Sequence, residues 1–245
     1  MVGTISGVER SASSNRPSSS GTVQSATIQR LIMYVPELFV ESDLAKLHRL
    51  MEQYNFATLY CQPDGEPPEI VHMPFILDPV PGPNGLLLGH VARANPVWRL
   101  FDGSTSAVVV FQGPHGYISP AWYSSRQQVP TWNYAVVHAH GKPQLLPESD
   151  VLDVLNRLVE RHEGTTDSAW RISELSPEFL KHMTSQIVVF AMPIDKIIGK
   201  FKLSQNRSLG DRRGAIAGVQ TRGDLFDPAL TELMEESLAT GTFLR

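Results

Sequence analysis

Between residues 56 and 139 the chain repeats one pattern that leaves few folds open to it. Runs rich in branched and aromatic residues lie near 56–62, 69–77, 85–91, 106–113 and 131–139, with Pro-Asp-Gly and Pro-Gly-Pro-Asn-Gly turns cutting between them. A sixth apolar run, IVVFAM at 187–192, has the length of a buried strand. Five or six short strands in succession pair with their neighbours and close into a barrel, which removes the exposed edges. The expected fold is mainly β with peripheral helices.

The helical signals sit around this block. Leu44, Leu47, Leu50, Met51 and Tyr54 recur at helical spacing, and Ser42 or Asp43 stands where an N-cap is needed. Asn95-Pro96 opens a helix through Phe101, with Gly103 stopping it. VLDVLNRLVERHE at 151–163 puts Val151, Leu155, Leu158 and Val159 on one stripe before Gly164, which predicts a helix packed on the barrel. Ser176-Pro177 starts another, and Asp227-Pro228 starts a last one ending near Gly241. Residues 1–27 are serine-rich and almost free of periodic apolar residues, so they are expected to form a disordered leader ahead of one domain spanning 28–245.

Composition excludes several classes. The formal net charge of −4 gives no global attraction to nucleic acid, although Lys200, Lys202, Arg207, Arg212 and Arg213 form a small basic stretch relieved only by Asp211. The one cysteine, Cys61, cannot form an internal disulfide, and no apolar run approaches the roughly 20 residues of a membrane span. These features point to a cytoplasmic protein that binds a small molecule and makes no direct nucleic-acid contact.

Four stretches carry residue types suited to chemistry. In LLLGHVARANP at 86–96, a strand through His90 and Arg93 runs into the helix opened by Asn95, and an arginine beside free helix N–H groups can hold a phosphate. A surface ion pair for Arg93 explains the same residues equally well. In FQGPHGYISPAWY at 111–123 the strand breaks at Gly113-Pro114 into an aromatic loop that can wall a planar ligand, or form a core corner, the preferred reading for Trp122 and Tyr123. In VPTWNYAVVHAHG at 129–141 the period of two puts Tyr134, Val136, His138 and His140 on one strand face. Two histidines so spaced can share a metal, but the next glutamate, Glu148, is too far along for the usual spacing, and a neutral hydrogen-bonding role is more economical. In KFKLSQNR at 200–207, Lys200, Lys202, Ser204, Gln205, Asn206 and Arg207 follow an apolar strand and can grip a phosphate or the polar edge of a flavin, or simply form a solvated loop.

Together MYVPELF at 33–39, GHVARANP, FQGPHGYISPAWY, VPTWNY and KLSQNR resemble the PaiB-type FMN-binding family, labelled in bacteria as negative transcriptional regulators. The resemblance covers roughly residues 33–237 and implies an FMN-binding split β-barrel, dimeric, with the flavin at the subunit interface. By that likeness His72, His90, Arg93, Asn95, Trp132, Asn133, Gln205, Asn206 and Arg207 belong in or near the flavin pocket.

The expected function is therefore FMN binding, as an oxidoreductase acting on a small molecule at the cleft of a homodimer. His90, His138 and Tyr134 are the candidate catalytic residues, and Gly113 and Lys202 join the flavin contacts. Two alternatives stay open. One is a non-enzymatic regulator that senses flavin, haem or another planar metabolite; the other is a flavin-free descendant using histidine acid–base chemistry in the same cleft.

Overall fold

A single residue joins the two ends of the sheet. The computed structural model describes residues 33–240 other than 81 and 126. Residues 1–34 and 35–245 are separate units, and the sheet belongs to the second. The expected leader, 1–27, lies outside the described residues. The main strand path runs β3 (Glu69–Pro74), β2 (Phe56–Gln62), β6 (Ser106–Ile118), β7 (Thr131–Gly141), β9 (Ile187–Lys202), β5 (Leu86–Ala92), β4 (Ile76–Asp78). All of its pairings are antiparallel. It begins at β3 and ends at β4, and only Phe75 separates these two strands in the chain, so the sheet must roll up. The result is the expected split barrel. Two short strands, β1 (Val40–Glu41) and β8 (Gln144–Leu145), add to β9.

Alternation decides which side is core. Ala57, Leu59 and Cys61 of β2, Val109 and Phe111 of β6, and Ala135, Val137 and Ala139 of β7 are buried inside. Phe75 is buried among them, edge-on to Phe111 at 6.0 Å and to Phe190 at 6.2 Å between ring centroids. Helix α1 (Leu44–Gln53), capped by Asp43 Oδ1 on the Ala45 amide at 2.9 Å, buries Leu47, Leu50 and Met51 in this core. Helix α2 (Val151–Glu163) covers the outside of β5 and β9, where Val151, Val154 and Leu158 meet Leu88, Val189 and Ala191 in a second apolar cluster. Helix α3 (Pro177–Ser185) leads into β9.

Four local expectations need correction. The helix after Asn95 is one 3-10 turn, Pro96–Leu100, too short to present a row of free N–H groups. Strand β6 does not break at Gly113-Pro114; it absorbs them in a register shift between Gln112 and His115 and continues to Ile118. Strand β9 continues past Met192 to Lys202, so the KFK of KFKLSQNR is strand. A helix with no periodic apolar signal, α4 (Leu209–Arg222), follows that turn and pairs with α5 (Asp227–Ala239).

Tertiary contacts explain α4. Its glycines Gly214 and Gly218 lie against Trp122, where an added Cβ would meet the Trp122 carbonyl oxygen at 2.0 Å and the indole at 2.1 Å, respectively. Asp211, in its first turn, accepts hydrogen bonds from Ser124 Oγ at 3.0 Å and from the Ser125 amide at 2.8 Å. Burial alone would raise this carboxyl, yet the hydrogen bonds from Ser125, Ser124 and Ser208 hold it at about 2. Trp122 thus belongs to a packed corner, in keeping with the core reading of that aromatic loop.

Candidate functional site

The strand registers assemble a face that no single motif reveals. Residues opposite one another in a pair share a face, so one row across five strands reads His72, Thr58, Val110, His138, Ile198. The next reads Ile70, Tyr60, Val108, His140, Lys196. On the other side of the first row come Gln112, Val136 and Lys200, then His115, Tyr134 and Lys202. This is the outside of the barrel, opposite the core. Much of it faces solvent: Ile70 is 51% exposed and Trp132, at its margin, 54%.

Its polar groups are tuned by that setting. The His138 and His140 rings stand 6.3 Å apart, and Lys200 Nζ lies 5.6 Å over the Tyr134 ring. Burial, joined by the Lys200 charge, lowers the His138 pKa; burial, His138 and Lys196 push His140 down to about 4. Both are neutral at pH 7. His140 Nε2 is shielded and has no hydrogen-bond partner among the described residues. Among those residues no third histidine, cysteine or carboxylate joins the pair in a metal-binding group. Lys202 donates to Thr131 Oγ1 and, at 2.9 Å, to the Trp132 carbonyl, and burial together with Lys200 and Arg207 lowers its pKa.

These histidines carry a pH signature. Groups held neutral in the fold but protonated near pH 6.5 in the unfolded chain contribute stability that is whole above pH 6.5. It is lost as pH falls from 6.5 toward 4, where His140 itself titrates. Melting temperature should therefore drop between pH 7 and pH 4.5, and His140→Gln should shallow that slope. Superimposable profiles for parent and variant would contradict it.

The expected site residues separate into distinct places. His72, whose Nδ1 pairs with Thr58 Oγ1 at 3.0 Å, shares the outer face with Tyr134, His138 and Lys202, with Trp132 beside them. Asn133 and Gln205 do not reach it. Asn133 is fully buried and exchanges hydrogen bonds with Ser204 Oγ at 2.9 and 3.2 Å. Gln205 folds back on the Leu203 amide at 2.6 Å and the Phe201 carbonyl at 2.5 Å, so its amide is consumed in shaping the turn. Gly113 is buried, and an added Cβ would lie 2.9 Å from Leu50 Cδ1; it gives α1 room. Asn206 is exposed on the turn, and Arg207 donates to Gln128 Oε1 and stacks 5.1 Å over Tyr123.

The GHVARANP residues lie elsewhere in the chain's own fold. Asn95 caps the 3-10 turn by accepting from the Val97 amide at 3.1 Å. His90 lines a cavity with residues of α2, α3 and Ile187 at the start of β9. Arg93 donates from Nε to the Ser185 carbonyl at 2.9 Å and from Nη2 to the Ile187 carbonyl at 3.1 Å, tying the end of β5 to the start of β9. Its Nη2 is also 3.8 Å from the exposed Glu148, and Arg93 and Lys181 line a cavity of about 620 Å³ beside α3. Arg93→Ala should therefore cost folding stability as well as any ligand contact, about 1–2 kcal/mol in urea unfolding. A change under about 0.3 kcal/mol would mean those carbonyl bonds do not form in solution.

Lys200 was already part of the KFKLSQNR cluster, whereas Lys196 and Lys181 were not singled out as site residues by sequence reasoning. Lys196 was recoverable, because β9 carries it at an even position in register with Lys200 and Lys202; Pro193 and Asp195 masked the continuing strand. Lys181 had no local signal.

With the geometry in view, comparison with known proteins identifies the lineage. Residues 33–196 match the family model described as "Putative FMN-binding domain". The chain belongs to this PaiB-type FMN-binding family. It is similar to the "Protease synthase and sporulation protein PAI 2" of Bacillus subtilis (strain 168), 33% identical over 206 residues that cover 84% of this chain and 98% of that one. It is also similar to an uncharacterized protein of Emericella nidulans, 29% identical over 201 residues, 67% of this chain and 80% of that one. Among solved structures, the "FAD and Heme binding protein from Mycobacterium smegmatis" shares the fold with a TM-score of 0.52 at 17% identity, over 73% of this chain and 80% of that one. No helix among the described residues of this FMN-binding family member is long and apolar enough to cross a membrane.

Proposed function

We propose that the protein binds FMN on the outer sheet face where two copies meet, and that it works there as an oxidoreductase on a small molecule. The observation that carries this reading is the face itself: a five-strand surface left uncovered among the described residues, with Lys196 and Lys200 on one strand and His138 and His140 on the next. This donor set fits the group. Lysines supply charge for a phosphate, neutral histidines supply hydrogen bonds to a ring edge, and Trp132 with Tyr117, edge-on at 6.1 Å and both exposed, offers apolar cover for a planar ring system. Flavin, when bound, supplies hydride transfer; the chain's residues bind, orient and exclude water. Pairing through this face in an isologous dimer shelters the apolar residues it leaves in water. The basic stretch from Lys200 to Arg213 supports a small-molecule reading over nucleic acid, since Arg212 is buried and Lys202 and Arg207 are spent on internal contacts.

Titrating FMN fluorescence against the protein, with the absorption spectrum of the purified chain beside it, tests the reading. Saturable quenching is expected, and Lys200→Ala should weaken it on the order of tenfold, the worth of one charge-assisted contact. Absence of FMN binding by the parent would overturn it, as would a variant that binds equally well.

A further inference from the structure

A second cavity, on the outside of the barrel beside β5 and the start of β9, has a different chemistry from the proposed flavin face. It measures about 530 Å³, within the usual range for small-molecule sites, and lies between α2, α3 and the segment 170–175. Leu155, Leu158 and Val159 form one wall, Phe179, Leu180 and Met183 the other. Trp170, Phe179 and Met183 at the rim are 39%, 51% and 46% exposed, a cluster of large apolar side chains left in water. Among the described residues no lysine or arginine lines it, and the carboxylate at its edge is Glu163. An anionic ligand such as a flavin phosphate finds no counter-charge there.

The polar groups at its base are few and their hydrogens can be assigned. Thr184 Oγ1 already donates to the Leu180 carbonyl at 2.9 Å, and His162 Nε2 faces Asn55 Nδ2 at 3.4 Å. His90 has a shielded Nδ1 with no hydrogen-bond partner among the described residues. With Nδ1 shielded, Nε2 is the ring nitrogen left for a ligand in the cavity, and the neutral tautomer that carries its proton there makes His90 a donor. Burial lowers the His90 pKa, which keeps the ring neutral.

We propose that this α2–α3 cavity is a binding site for an uncharged, largely apolar small molecule carrying a carbonyl-type acceptor, which takes the hydrogen bond of His90 Nε2. The site is separate from the flavin face and rests on different observations.

Prodan, a neutral naphthalene ketone whose emission reports both polarity and hydrogen bonding at its carbonyl, is a suitable probe for the full chain. Saturable one-to-one binding with emission shifted to the blue of its value in water is expected. Met183→Trp fills the cavity from its half-exposed rim without entering the core, and should weaken binding at least about tenfold. His90→Phe keeps the ring and removes the donor; it should weaken binding about three- to tenfold and move bound emission further to the blue. Thermal unfolding of both variants near the parent value confirms that the effect is local, and saturating FMN should not displace the probe. Lack of saturable binding, indifference to Met183→Trp, or competitive displacement by FMN would each overturn the proposal. Failure of FMN to bind at all leaves these prodan results unchanged, so the two readings fail separately.

Discussion

Phe75→Ala should lower folding stability by about 3–5 kcal/mol, among the largest effects available from one substitution in this chain. The ring is buried, with 1% of its surface exposed, and sits edge-on to both Phe111 and Phe190. Its position in the topology adds to the packing loss. Phe75 is the one residue between β3 and β4, the two ends of the strand path, so its side chain anchors the joint that closes the barrel. Truncation leaves a cavity at that joint which rigid strands on either side cannot collapse to fill. Phe75→Leu retains most of the volume and should cost clearly less. Urea unfolding of the parent and both variants measures this directly, and equal midpoints for Ala and Leu would show that the joint is held by the backbone alone.

Val110→Asp should abolish self-association and flavin binding together while leaving the single chain folded. Val110 lies at the centre of the outer face, between Thr58 of β2 and His138 of β7. In the isolated chain it is half-buried, so a carboxylate there can still reach water. In a two-fold pairing through this face each interface contains two such carboxylates, each desolvated without a designed partner. A few kcal/mol for the pair corresponds to a loss of at least about a hundredfold in dimer affinity. Sedimentation velocity at micromolar concentration should show a dimer for the parent and a monomer for the variant, with melting temperatures within a few degrees. A parent that is monomeric, or a variant that stays dimeric, would remove the outer face from consideration as the interface and with it the proposed flavin seat.

Sequence patterning reads local structure well where one face of an element is plainly apolar. Strand 56–62 and helix 151–163 match the structure residue for residue, since alternation in the first and the 3.6-residue stripe in the second each have one solution. The limits of legibility are equally specific. Helix α4 carries glycines at 210, 214 and 218 and a weak apolar pattern, so local propensity argues against a helix. It forms because Gly214 and Gly218 leave space for Trp122 and because Asp211 gathers the donors of Ser124 and Ser125, partners more than 80 residues away in the chain.

The candidate site divides along the same line. The sequence by itself determined that Tyr134, Val136, His138 and His140 share a face, that Asn95 caps a turn, and that the ordered motifs belong to an FMN-binding split barrel; each depends on residues close together in the chain or on the motifs themselves. Only the tertiary structure decided which side of each strand is core. That choice turned Asn133 and Gln205 inward, engaged Arg93 with the Ser185 and Ile187 carbonyls, and aligned Lys196 and Lys200 with the histidines of the neighbouring strand. A period of two states that faces alternate, and it is silent about which neighbour each face will meet. Strand registers and the closure at Phe75 supply that choice, because they are set by pairings between segments far apart in sequence.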